Sequence, residues 1–146
     1  MLGEIEVLKQ IQIQPGSVFK MEFYPKDKVT PKGDHAVSRL KFFVVLGVNF
    51  YGDYVGVTLI NTNVNVNFAS IIAPYQHCIY PEKYDFLNGQ YRYVDCYSLR
   101  EIEKARIINN AKYVGYLNPE DLLKIKTLLR QSPVIGKSII KEYGLE

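Results

Sequence analysis

Four side chains suited to handling a negatively charged group stand between residues 35 and 41 of the stretch GDHAVSRLKFFVVLG: His35, Ser38, Arg39 and Lys41. A guanidinium donates two hydrogen bonds in fixed geometry to phosphate or carboxylate oxygens, and an ammonium adds a compact positive charge. An imidazole exchanges a proton near neutral pH. The polar run stops at Phe42, and Leu40 to Val48 reads as a strand buried on both faces. The chain thus gathers ionic chemistry at the mouth of a strand that it then buries.

Further groups follow at regular spacing. Asn61, Asn63, Asn65 and Asn67 recur at every second position of NTNVNVNF, which puts all four amides on one side of an extended segment. They are suited to reading base edges, and equally to forming a wet strand face. His77, Cys78 and Cys96 are the nearest approach to a metal set, but their spacing matches no zinc pattern. Free buried thiols are the expectation, with no cofactor.

The elements that must position these groups can be read in order. Residues 2–10 fit a short helix, Pro15-Gly16 breaks the chain, and SVFKMEFY alternates as a strand with one wet face. Pro25 to Val37 reads as a loop. A turn at Gly52-Asp53 returns the buried strand into YVGVTLI. Residues 69–90 read as a long loop with one helical turn, YRYVDCYSL as a strand, and KYVGYL as the final strand. SLREIEKARIINN is ambiguous: Ser98 and Glu101 suit a capping box, yet the apolar spacing is poor for a long helix. Asn118-Pro119 followed by Glu120 and Asp121 starts a strong helix, with Leu122, Ile125, Leu128 and Leu129 as its inner stripe. Ser132-Pro133 signals a short terminal helix to about Tyr143. Several short strands with one strong late helix predict a mainly β class, a small barrel closed by a C-terminal helix.

Size and composition set outer bounds. The 146 residues suit one domain, residues 1–146, with 1–14 as an N-terminal extension and 132–146 as a C-terminal helical one. No apolar segment reaches the length of a membrane span, and the opening residues lack a signal-peptide pattern, so a cytoplasmic protein without a membrane partner is expected. The net charge of +3 permits an anionic partner without demanding one. Its distribution is more telling, because Lys20, Lys26, Lys28, Lys32, Arg39 and Lys41 crowd one segment.

From Pro15 to Arg130 the order of these pieces resembles the MazF/PemK family of small endoribonuclease toxins, built on an SH3-like barrel. PGSVFKMEF looks like the family's opening strand, SRLKFFVVLG like its basic residue and apolar strand, and VTLINTN like the following strand that ends in Thr or Ser. VDCYSLREIEKARIINNAKYVGYLNPEDLLKIKTLLR tracks the family's closing pattern, and this makes Leu99 to Ile102 a strand. Phe42 stands where the family has a proline, and the catalytic arginine falls on Lys41 with Arg39 two residues earlier. Asp95 matches a later aspartate, while its companion arginine position reads Tyr93 and Arg92 is displaced by one.

The resemblance implies metal-free cleavage of single-stranded RNA by 2'-hydroxyl attack on the adjacent phosphate, in a toxin–antitoxin system, by a homodimer neutralised by an antitoxin protein. Arg39 would clamp the phosphate, Lys41 would add charge, His35 would move a proton, and Thr62 would hydrogen-bond the phosphate or ribose. Ser38, Asn61, Asn63, Asp95 and Arg92 would line the RNA. Bland readings stand beside these. His35 suits a solvated loop, Arg39 guards a strand edge against aggregation, and Asp95 caps a turn or pairs with Arg106. The alternative function is a non-catalytic barrel that binds nucleic acid or protein. The tail from Ser132 docks either on this chain or on a partner.

Overall fold

The computed structural model describes residues 8, 12–29, 37–63 and 69–146. His35, Asn65 and Asn67 lie outside these residues, as does nearly all of the helix expected over 2–10. The described chain is mainly β, and its strands form one curled antiparallel sheet. The elements are β1 (Ser17–Phe23), β2 (Arg39–Val48), β3 (Tyr54–Asn61), α1 (Ala69–Ile72), β4 (Gln76–Ile79), β5 (Arg92–Asp95), β6 (Arg100–Glu103), α2 (Lys104–Asn110), β7 (Lys112–Tyr116), α3 (Pro119–Gln131) and α4 (Lys137–Glu142). Strand order is β4-β5-β3-β2-β1-β7. β3 divides its outer edge, with Tyr54 to Val57 pairing to β6 and Ile60 and Asn61 pairing to β5. Among the described residues, no helix is long and apolar enough to cross a membrane.

β2 belongs to two hydrophobic layers at once. Its Val44 and Leu46 join Val18, Ile60, Leu117, Ile125 and Leu129 beneath α3. Its Phe43 and Val45 join Phe19, Met21, Phe23, Val57 and Ile107 beneath α2. Alternate residues point to opposite faces, so an unbroken apolar run is what a strand buried on both sides requires. Phe43 stacks on Phe19 with ring centroids 5.9 Å apart and meets Phe23 edge-on at 6.0 Å. Each such fully buried side chain contributes roughly 1.5–3 kcal/mol of transfer free energy.

α3 begins as its sequence signals, with the Asn118 side chain accepting from the Asp121 amide at 2.8 Å and Pro119 at the first helical position. Ser132, by contrast, ends α3, and its hydroxyl donates to the Tyr97 carbonyl; α4 starts later, from Gly136. Two other expectations change. The stretch read as a loop contains strand β4, which has too few residues to show a period and exists through its pairing with β5. β3 ends at Asn61, and Thr62 and Asn63 lie in a bend, so the strand alternation that would align Asn63 with Asn61 does not hold between these two.

The tail docks on this chain. Ile140, Tyr143 and Leu145 are buried in the layer beneath α3, and Arg130 donates to the Leu145 carbonyl at 3.0 Å. Gly47 and Gly56, paired across β2 and β3, make the room. A Cβ at Gly47 would overlap the Tyr143 carbonyl oxygen, and one at Gly56 would lie 2.8 Å from the Tyr143 ring. Gly56→Ala should therefore destabilise the protein by about 1–3 kcal/mol in denaturant titrations. Adding Tyr143→Ala should restore far less than full stability but should make the second cost at position 56 disappear, which a double-mutant cycle reads directly.

Candidate nucleic-acid interface

Antiparallel partners share a face, so the register of the sheet fixes which side chains meet. Lys41 lies opposite Met21 of β1, and its ammonium donates to the Asn61 side-chain carbonyl at the end of β3. Asn61 in turn lies opposite Tyr93, and Tyr93 opposite Cys78. One row of the sheet therefore runs Met21, Lys41, Asn61, Tyr93, Cys78, on the face that carries Phe43. Arg39, two residues before Lys41, shares this face and lies opposite Phe23. Thr62 follows Asn61 directly and is half-buried in the bend. The Lys41–Asn61 hydrogen bond thus brings the mouth of β2 to the end of β3. No hydrogen bond joins Thr62 to Arg39 or Lys41 among the described residues.

The other expected site residues are engaged elsewhere. The Ser38 hydroxyl donates to Glu22 at 2.6 Å, near the edge where Glu22 lies opposite Leu40. Asn63 is exposed in the bend. Asp95 organises the β5–β6 turn: its carboxylate accepts from the Tyr97 amide at 3.0 Å, the Ser98 hydroxyl at 3.2 Å and the Gln76 amide at 2.9 Å. Its backbone carbonyl also accepts from Thr58. It makes no pair with Arg106. Arg92 shares the face of Val94, the opposite one from Lys41, and its guanidinium lies 4.8 Å from the centre of the Phe42 ring. Burial pushes the Arg92 pKa down, and its Nε lacks a hydrogen-bond partner among the described residues. The side chain that β5 does present beside Asn61 is Tyr93.

A basic cleft of about 290 Å³ adjoins Arg39, lined by Phe23, Lys26, Asp27, Lys28, Arg100, Glu101, Ile102 and Arg106. Both of Asp27's carboxylate oxygens receive the Arg106 guanidinium, at 2.8 Å each, which ties the tight turn Pro25–Asp27 to α2. That hydrogen-bonded guanidinium, opposed by partial burial, lowers the Asp27 pKa to about 2. Arg106 also lies 5.7 Å from the centre of the Phe23 ring. These cleft residues were legible only in part: the crowding of lysines was visible, but Arg100 and Arg106 lie more than seventy positions away from Asp27 in sequence.

A second polar cluster escaped sequence reasoning. His77 Nε2 lies 2.7 Å from one Asp121 oxygen, and the Tyr84 hydroxyl donates to the other while accepting from the Asn118 amide at 3.0 Å. Burial, reinforced by the Asp121 carboxylate, raises the Tyr84 pKa and keeps the hydroxyl a donor. The cluster bolts the start of α3 to β4 and to the loop before β5. It commits His77, and Cys96 is fully buried. No group of three or more metal-ligating side chains comes together among the described residues.

Neither the scan against protein-family models nor the search of curated proteins returned a match to this chain.

The Asp27–Arg106 pair makes stability depend on pH with a definite sign. The folded-state pKa of Asp27 lies below its ordinary 3.8, so the stabilisation is present above about pH 4 and is lost as pH falls toward about 2. Denaturant titrations across this range should show wild type more stable than Asp27→Asn near neutrality, with the gap closing in acid. A gap independent of pH would exclude the carboxylate as its source.

Proposed function

We propose that this chain is a divergent barrel of the SH3-like MazF/PemK type that binds single-stranded RNA and cleaves it without a metal. The observation that carries the reading is the hydrogen bond from Lys41 to Asn61. It sets the cation at the mouth of β2 one residue from Thr62, on a face shared with Arg39 and Tyr93. Those are the two strand ends at which the sequence resemblance expects a basic residue and a hydroxyl.

The chemistry has two proton transfers around one displacement at phosphorus. The ribose 2'-oxygen bonds to the adjacent phosphorus and gives up its proton to a base, while the bond to the 5'-oxygen breaks and that oxygen takes a proton. The products are a 2',3'-cyclic phosphate and a 5'-hydroxyl. Negative charge grows on the non-bridging oxygens, where a fixed ammonium and guanidinium act most strongly. In this reading Lys41 holds the phosphorane charge, Asn61 orients Lys41, Arg39 clamps the same phosphate, and Thr62 donates a hydrogen bond to it. His35, four residues before β2 in sequence, exchanges the proton. Tyr93 offers a ring for an unpaired base to stack on. A homodimer and an antitoxin protein belong to the same proposal and rest on the resemblance alone.

A second reading has a specific observation in its favour. Asp95, which matches the family's later aspartate, is occupied by a turn, and Arg92, displaced by one from the companion arginine position, lies against Phe42. A barrel that binds RNA without cutting it would have no need of them.

Mixed-sequence single-stranded RNA incubated with the protein in excess chelator separates these readings. Discrete products ending in cyclic phosphate are expected. Lys41→Ala and Arg39→Ala should each slow their formation by roughly a hundredfold or more, while the melting curve stays close to wild type. A shifted but intact RNA band would support the binding-only barrel, and neither cleavage nor a shift would remove both.

A further inference from the structure

The cleft beside Arg39 holds more positive charge than its own acids neutralise. Of the two carboxylates that line it, Asp27 is consumed by Arg106 through both oxygens. Glu101 accepts the Tyr143 hydroxyl at 2.7 Å, on the tail side of the sheet, where it lies opposite Gly56. Lys26, Lys28 and Arg100 therefore form no ion pair among the described residues, although Asp27 acts at longer range on Lys26 and, with Asp95, on Arg100. Lys26 lies over the Tyr24 ring, 5.8 Å from its centre. Arg100 is the most telling of the three. It is half-buried on the face of Ile102 and Val57, and it spends one N–H on the Asp27 backbone carbonyl. A guanidinium has five donors, so several remain to be directed into the cleft. Burial lowers the Arg100 pKa, which marks a cation held where water solvates it poorly.

Lys28 adds an independent sign. It caps the tight turn in the left-handed region, at φ 61 and ψ 35, where a glycine would sit without strain. The chain instead keeps an exposed lysine at the cleft's rim, bearing a backbone cost that the fold alone does not require.

We propose that this cleft is a second phosphate subsite, which takes a backbone phosphodiester of the RNA next to the one held at Lys41 and Arg39. Arg100 donates to the non-bridging oxygens from the cleft wall, and Lys26 and Lys28 close over them from the turn. Phe23, which lines the cleft and lies opposite Arg39, makes the two anion positions continuous along β1 and β2. Arg106 is a positioning residue: by holding Asp27 it fixes the turn that carries both lysines. This inference rests on the RNA reading above and extends it from one scissile phosphate to a track with a defined direction.

The test measures binding rather than cleavage. A labelled single-stranded RNA with 2'-O-methyl riboses cannot undergo the 2'-hydroxyl attack, so its affinity for the full chain can be titrated over a range of KCl concentrations. Each phosphate contact to a single strand contributes about 0.7 to the slope of log affinity against log salt. Lys28→Gly and Arg100→Gln should each lower that slope by about this amount and weaken binding several-fold. Lys28→Gly is the decisive variant, because glycine suits its backbone and the thermal midpoint should hold or rise. Lys124→Gln, an exposed charge change on α3, should leave the slope at the wild-type value. Wild-type RNA binding with slopes unaltered in both cleft variants would overturn the subsite while leaving the RNA reading intact. Inorganic phosphate is the second probe. If it raises the thermal midpoint of wild type but not of Lys28→Gly, and the RNA slopes do not change, the cleft takes a free anion and the RNA assignment falls. A wild-type chain that fails to bind the RNA at all would overturn both.

Discussion

A one-residue slip of β2 against its neighbours would carry Phe43 and Val45 out from beneath α2 and drive Val44 and Leu46 into their place. In a sheet with one wet face such a slip exposes apolar groups. Here it would also have to exchange two sets of differently shaped contacts, including the Phe19, Phe23 and Phe43 ring stack. Register is thus specified twice over, and the side chains at the strand's mouth inherit that precision. Arg39 and Lys41 extend the face of Phe43 and Val45 outward past the edge of the core. Polar chemistry gains from standing there, because a rigid strand holds each cation without the entropy cost of ordering a loop around a ligand.

The same two-sided burial explains how acids and bases are sorted. β6 lies opposite the first half of β3, with Arg100 and Ile102 on the α2 face and Glu101 on the tail face. Alternation alone separates a cation from the carboxylate next to it in sequence, and Tyr143 then binds Glu101 on the far side. On the near side Arg106 neutralises Asp27. What predominates on that face is basic side chains along one track, from the cleft to Arg39, with Lys41 bound to Asn61 beyond it. The net charge of the whole chain is small, so the field that a polyanion would meet comes from this segregation and not from composition.

The tail contributes to the frame through backbone proximity. Tyr143 packs onto the paired Gly47 and Gly56, and Leu145 is fully buried. A segment that in sequence could dock on this chain or on a partner is therefore part of the core beneath α3. The Asp121, His77 and Tyr84 cluster performs a comparable task on the other side of α3, tying a helix start to the edge strand β4 by side-chain hydrogen bonds.

Local rules were sufficient where the signal is local. The doubly buried β2, the turn into β3, the Asn118-Pro119 start of α3 and the crowding of lysines before β2 all follow from periodicity, capping chemistry and composition. β4 and the engagement of Arg92 do not, because each depends on a partner distant in the chain, whereas the turn that Asp95 caps was legible, its Tyr97 and Ser98 donors lying two and three residues away. Sequence by itself determined the strands that carry a clear period, β2 and β3 above all, and that cations would gather at one strand mouth, since period and charge are properties of neighbours along the chain. Only the tertiary structure decided which cations are bound by an acid, since that turns on whether a carboxylate from elsewhere in the fold closes to ion-pair distance: Asp27 does so on Arg106, whereas Asp95 and Asp27 act on Arg100 only at longer range.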